Sequence, residues 1–306
     1  YMAKGEFVKA GQHLKSMRKL SKTQKSQYQD LVGLCSSNKE LADKIPYHLA
    51  RAIAYTNNRW FNRIVREYKE ITNIIPANTI AYEAQVDPLM FMGEKDKAID
   101  ICKEIIELEP QLSNSYSRLA GIYYKEGELD KALKQYRKIV TVDQNNAAAF
   151  LNIGVILDSK NMLEGSVSAY RKVIKLDPTS PVAYNNLAWL YALKMQDKMD
   201  KALVLAEKAK ELAPNNPAIS DTLGWIYYLN ANYDKSVSEL RTAVRNAAWN
   251  PTVRFHLGAA YYKKGLQREA LTELERALKI SSTFPEAEEA KQIIEKIIIS
   301  RVKGAG

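Results

Sequence analysis

The stretch SNSYSRLAGIYYKEGELDKALKQYRKIVTVDQNN, residues Ser113 to Asn146, decides the fold. Leu119 and Tyr123 stand four apart, with the small Ala120 beside Leu119; Ala132 and Ile139 stand seven apart after the turn Lys125-Glu126-Gly127-Glu128. Those spacings put each set on one helical face, so the stretch predicts two amphipathic helices joined tightly. Gly127 suits the left-handed conformation that ends a helix. The same columns then recur outward along the chain. Units begin at Ser113, Ala147, Pro181, Pro217 and Pro251; four are 34 residues long and the one from Pro181 is 36. The seventh residue is Leu119, Ile153, Leu187, Leu223 and Leu257, and the eighth is always small: Ala120, Gly154, Ala188, Gly224, Gly258. Tyr123, Leu157, Tyr191, Tyr227 and Tyr261 fill the eleventh. A second small column, Ala132, Ser166, Ala202, Ser236 and Ala270, lets the paired helices approach closely.

A 34-residue helix–turn–helix period resembles the tetratricopeptide repeat (TPR), which stacks into a right-handed superhelical solenoid. Tyr116-Ser117-Arg118-Leu119-Ala120-Gly121-Ile122-Tyr123 and Tyr184-Asn185-Asn186-Leu187-Ala188-Trp189-Leu190-Tyr191 carry its first-helix signature. The expected fold is therefore all-α. Residues 113–284 form five regular units and 45–112 two divergent ones. Arg51 and Gln85 stand at the apolar seventh position of the divergent pair, and Pro88 inside a first helix predicts a kink or break. Residues 1–44 read as a partial unit, its second helix only, followed by an irregular basic helical segment. Tyr1-Met2-Ala3-Lys4-Gly5 matches Tyr261-Tyr262-Lys263-Lys264-Gly265, so the chain is expected to be cut from a longer solenoid. Residues 285–306 read as a capping helix and tail. Pro285 would open that helix, and Ile293, Ile294, Ile297 and Ile298 would form its apolar stripe.

Charge is unevenly spread. The formal net charge is +10, but residues 1–78 hold 14 bases against 6 acids and the rest is nearly balanced. Lys15, Arg18, Lys19, Lys22 and Lys25 form the densest basic patch. It reads either as a contact for an anionic polymer, such as a polysaccharide, or as a solvated helix face. Nucleic acid is disfavoured, because no aromatic or Gly-rich signature accompanies the lysines. The longest apolar run, Leu187 to Leu193, falls far short of the ~18 residues of a transmembrane helix.

Chemistry is sparse. His13, His48 and His256 fall in separate units without ligand spacing, so no metal or cofactor is expected. Cys102 occupies a packing column and Cys35 lies about two units away, which argues for thiols without a disulfide. The recurring glycines are turn residues and form no phosphate loop. A non-catalytic protein is expected, and what remains is a binding surface.

The resemblance implies which positions face the concave groove: 2, 5, 6, 9, 12 and 13 of each unit. Arg118, Asn152, Asn186 and His256 occupy the sixth position, Asn185 and Asp221 the fifth, Trp189 and Trp225 the ninth, and Tyr124, Tyr228 and Tyr262 the twelfth. Amides can both donate to and accept from an extended backbone, while Trp and Tyr anchor interfaces at low entropy cost. For Trp189 and Trp225, a groove anchor and a filler between units fit the sequence equally. The carboxylate clamp by which some relatives grip chaperone tails is absent, since Ser117, Leu151, Asn185, Asp221 and Phe255 replace its lysine and partners at the fifth position.

Residues 217–290 also resemble the terminal units of large bacterial repeat proteins of exopolysaccharide assembly and export, including those beside exosortase systems. Asp221-Thr222-Leu223-Gly224-Trp225, Tyr227-Tyr228, Arg254-Phe255-His256-Leu257-Gly258 and Phe284-Pro285 carry that likeness. It implies a scaffold for protein or peptide partners in the bacterial periplasm or cell envelope, with the cytoplasm as the alternative.

Overall fold

The computed structural model describes residues 41–304, which form fifteen α-helices, one 3₁₀ turn and no strand. They fall into two compact units divided between Gln144 and Asn145. The basic patch of Lys15, Arg18, Lys19, Lys22 and Lys25 and the partial repeat before Leu41 lie outside the described residues.

In the first unit, α1 (Leu41–Asn57), α2 (Phe61–Ile74), α3 (Thr79–Phe91), α4 (Lys95–Leu108), α5 (Ser113–Lys125) and α6 (Leu129–Val142) each pack on the next. The second unit does the same with α7 (Ala147–Ser159), α8 (Leu163–Leu176), α9 (Pro181–Lys194), α10 (Met199–Leu212), α11 (Pro217–Leu229), α12 (Tyr233–Asn246), α13 (Pro251–Lys263), α14 (Gln267–Ile280) and α15 (Ala287–Gly304). This all-α succession of helix pairs is the packing order of a tetratricopeptide solenoid.

The local causes are visible at each end of the helices. Asn78, Asn146, Asn216 and Asn250 each cap a first helix by accepting from backbone N–H groups of its first turn. Pro181, Pro217 and Pro251 occupy the first helical position, where no N–H is needed. Between the helices of a pair the chain turns through one left-handed residue: Arg59, Gly93, Gly127, Asn161, Ala231 and Gly265 all have positive φ. They fall on the 34-residue grid. The 36-residue unit departs from it, turning instead through the 3₁₀ segment Gln196–Lys198.

Small residues hold each pair together. Ala120, Ala188, Ala132, Ser166, Ala202, Ser236 and Ala270 are wholly buried. The Ser166 hydroxyl donates to the Gly154 carbonyl across the α7–α8 seam at 2.9 Å.

Three expectations change. Pro88 does not break its helix, which runs unbroken from Thr79 to Phe91. The proline sits only three residues from the end, so one backbone bond is lost and the carbonyl of Pro88 still accepts from Met92 N–H. The capping helix starts at Ala287, because Pro285 and Glu286 form the turn that precedes it. In its stripe Ile293 and Ile297 are buried, but Ile298 is half exposed. A helix is already under way at Leu41, the first described residue, ahead of the residue 45 at which the first divergent unit is expected to start.

The polar seventh positions have local explanations. Gln85 is buried and donates to the Ala81 carbonyl at 3.1 Å. Arg51 reaches the hydroxyls of Tyr47 and Tyr55 and the carboxylate of Glu67. Glu67 is itself buried, 2.8 Å from His48 Nδ1.

Cys102 is wholly buried in the first unit, and burial pushes its thiol up to about 12. At pH 8 roughly one in 10⁴ of such thiols is thiolate, the reactive form. Peptide mapping after treatment of the native protein with iodoacetamide at that pH is expected to find Cys102 unmodified, and modified once urea unfolds the chain. Rapid native labelling would refute the buried placement.

Candidate functional site

The arrangement of helices decides which face is available. In the second unit α7 touches α9, α9 touches α11 and α11 touches α13, while no contact of like extent joins α8, α10 and α12. The first helices are therefore gathered on one side and the second helices splay on the other, so the first-helix side is the inner face.

On that face a cleft of about 430 Å³ opens across α9, α11 and α13. Asn185, Asn186 and Trp189 line it from α9, Asp221 from α11 and His256 from α13. The structure thus brings together five of the residues that the repeat register nominates. Each arrives there because the fifth, sixth and ninth positions of successive first helices lie along one stripe.

His256 organises the floor. It is 2% exposed, and its Nδ1 lies 2.8 Å from Asp221 Oδ1. A carboxylate only accepts, so this nitrogen carries the proton of the bond. The imidazole stacks on Trp225 with centroids 4.1 Å apart, and Trp189 stands 6.4 Å away, tilted. Asn185 Nδ2 donates to Asn186 Oδ1 at 3.5 Å, while Asn185 Oδ1 is buried without a partner. A buried carbonyl of that kind is costly unless something donates to it.

Several nominated residues lie elsewhere. Trp225 stacks at 4.4 Å on Tyr228, and both, with Tyr262, pack half-buried against the core that joins α13, α14 and α15. Burial pushes the Tyr228 hydroxyl up. Asn152 spends its amide N–H on the Ala148 carbonyl of its own helix. In the first unit Tyr124 is exposed, and Arg118 pairs with Asp87 at 2.8 Å beside a separate cleft of about 340 Å³.

Among the lining residues that the sequence reading did not nominate, two carry the chemistry. Trp249, 76% exposed, projects from the α12–α13 connection, and Glu286 enters from the turn before α15, accepting from the Thr252 hydroxyl at 3.1 Å. Both sit in connections, which a register of helical positions does not index. The Trp in Ala248-Trp249-Asn250 was nonetheless a usable signal, since large aromatics are rare in short exposed turns.

Among the described residues no group of three or more His, Cys, Asp or Glu side chains could hold a metal ion, and no helix is long and apolar enough to cross a membrane.

Family models for the TPR repeat and the tetratricopeptide repeat match residues 120–160, 147–180, 169–203 and 222–285. Among solved structures, the chain is similar to the Cut9–Hcn1 hetero-tetramer of APC/C, with a TM-score of 0.63 and 17% identity over 86% of this chain and 50% of that one. It is also similar to Pseudomonas aeruginosa pilF, with a TM-score of 0.59 and 18% identity over 70% of this chain and 96% of that one. At these identities the likeness speaks to the fold alone. Comparison with curated proteins gave no match.

Proposed function

This chain carries tetratricopeptide repeats, and from that premise we propose that it is a non-catalytic scaffold holding an extended peptide segment of a partner protein on the inner face of its second unit. The observation that carries the reading is the convergence of Asn185, Asn186, Trp189, Asp221 and His256 on one cleft. An indole wall supplies contact area, and the amides and carboxylate fix the register of a backbone laid along the stripe.

Trp189→Ala tests this directly. Removing a central aromatic anchor typically costs 2 kcal/mol or more, or about 30-fold in Kd. Partners captured by the wild type, or peptides selected on it, are expected to be lost to that degree, whereas Tyr124→Ala leaves them bound. Full binding by the Trp189 variant would end the proposal. Salt separates the alternatives: an anionic polymer held by Lys15, Arg18, Lys19, Lys22 and Lys25 would dissociate steeply as salt rises, and a groove-bound peptide only modestly.

The finer reading, a scaffold that organises a bacterial exopolysaccharide assembly and export complex, is supported by the sequence pattern over residues 217–290.

A further inference from the structure

We propose that the inner-face cleft is a pocket for a basic side chain, arginine first and lysine second, on the bound peptide; this rests on the peptide-binding reading and names the chemistry that would be recognised.

The argument starts from the balance of donors and acceptors. The chain carries 45 Lys and Arg residues, yet none lines this cleft. The nearby Arg254 is committed elsewhere, donating to the Ala248 carbonyl and pairing with Glu273. The ionisable groups that do line the cleft are Asp221, Glu286 and His256. Asp221 Oδ1 accepts from His256 Nδ1 and Glu286 Oε2 accepts from the Thr252 hydroxyl, while a carboxylate has room for about four hydrogen bonds. The buried carbonyl oxygen of Asn185 adds an acceptor with no donor. The cleft therefore has acceptors to spare, and a complementary ligand brings donors and positive charge.

The aromatic walls point the same way. Trp189 and the exposed Trp249 line the same space as the two carboxylates. Indole faces attract cations, and a planar guanidinium both stacks on them and forks onto a carboxylate. Arginine makes use of both features, and an ammonium mainly of the charge. An acidic or C-terminal carboxylate ligand would meet like charge here, the reverse of the lysine-lined clamp that the sequence lacks.

The test pans a random peptide display pool on the full chain, then titrates the selected peptides by fluorescence anisotropy. Recovered sequences should be enriched in Arg, and Trp189→Ala should weaken their binding about 30-fold. Glu286→Gln and Asp221→Asn keep shape and hydrogen-bond acceptance while removing charge, and each should weaken binding about tenfold, the worth of one charge-assisted contact. Replacing the peptide's Arg by citrulline should cost the wild type about as much as both neutralisations together, roughly a hundredfold, and the doubly neutralised variant nothing further. If selected peptides depend on Trp189 but lack basic residues, or bind Glu286→Gln and Asp221→Asn unchanged, the charge reading falls and the peptide groove stands. If nothing selected depends on Trp189, the groove reading itself is lost and this inference with it.

Discussion

Phe255→Ala is expected to cost the second unit about 3–5 kcal/mol, the usual result of truncating a buried aromatic in a packed core. Phe255 has no exposed surface, and it packs in one cluster with Leu274 of α14 and Phe284, Ile293 and Ile297 of the cap region. Its ring lies 6.2 Å from that of Phe284 and 6.1 Å from that of Trp225. In a stack whose members touch only their neighbours, the damage should stay local. Native-state hydrogen exchange should show α14 and α15 losing protection while α7 and α8 keep theirs. A loss below about 1 kcal/mol, or one spread evenly along the unit, would contradict this account of the cap.

The second large effect comes from glycines that differ only in what lies beyond their Cα. A Cβ at Gly154 would meet two ring atoms of the buried Tyr170 at 2.6 and 2.7 Å. At Gly224 and Gly258 it would meet Leu240 and Leu274 at 2.6 and 2.7 Å, with the backbone nitrogens of those leucines at 3.2 and 3.3 Å. Neither the ring nor the backbone has space to retreat, so each Gly→Ala should destabilise by about 1–3 kcal/mol. Gly121, inside α5, has nothing within 4 Å of that position. There alanine should instead stabilise by roughly 0.5–1 kcal/mol, through its better helix propensity. Urea denaturation of the four variants reads both signs. Uniform stabilisation across them would show that the seams are looser than the geometry states.

These residues also show how far the sequence could be read. The small eighth column was legible as a close-packing seam because it recurs every 34 residues in one register. The starts of α5, α7, α9, α11 and α13 were legible from the same repetition. Repetition averages away what is peculiar to one unit, and that is where reading failed. Phe255 stands at a position that faces the groove in the family, yet the connection into α15 covers it. His256 looked isolated along the chain, because its partner Asp221 is 35 residues away and becomes a neighbour only when α11 and α13 stack. Glu67 and His48, 19 residues apart, meet in the same way across one helix pair. Trp249 and Glu286 belong to no column at all. The site was thus legible where it lies on helices and hidden where connections or long-range pairs complete it.

The turn between α9 and α10 carries one more consequence. Every other turn within a described helix pair runs on a fixed grid of left-handed residues, whereas this one is longer by a residue and passes through Gln196–Lys198. Nevertheless Ala188 and Ala202, members of one core cluster, remain wholly buried. The seam therefore does not depend on how long the chain takes to double back. That makes this bend a natural port for engineering: a reporter loop or a fluorophore site threaded in there would sit outside the cleft lining and leave the neighbouring modules in phase.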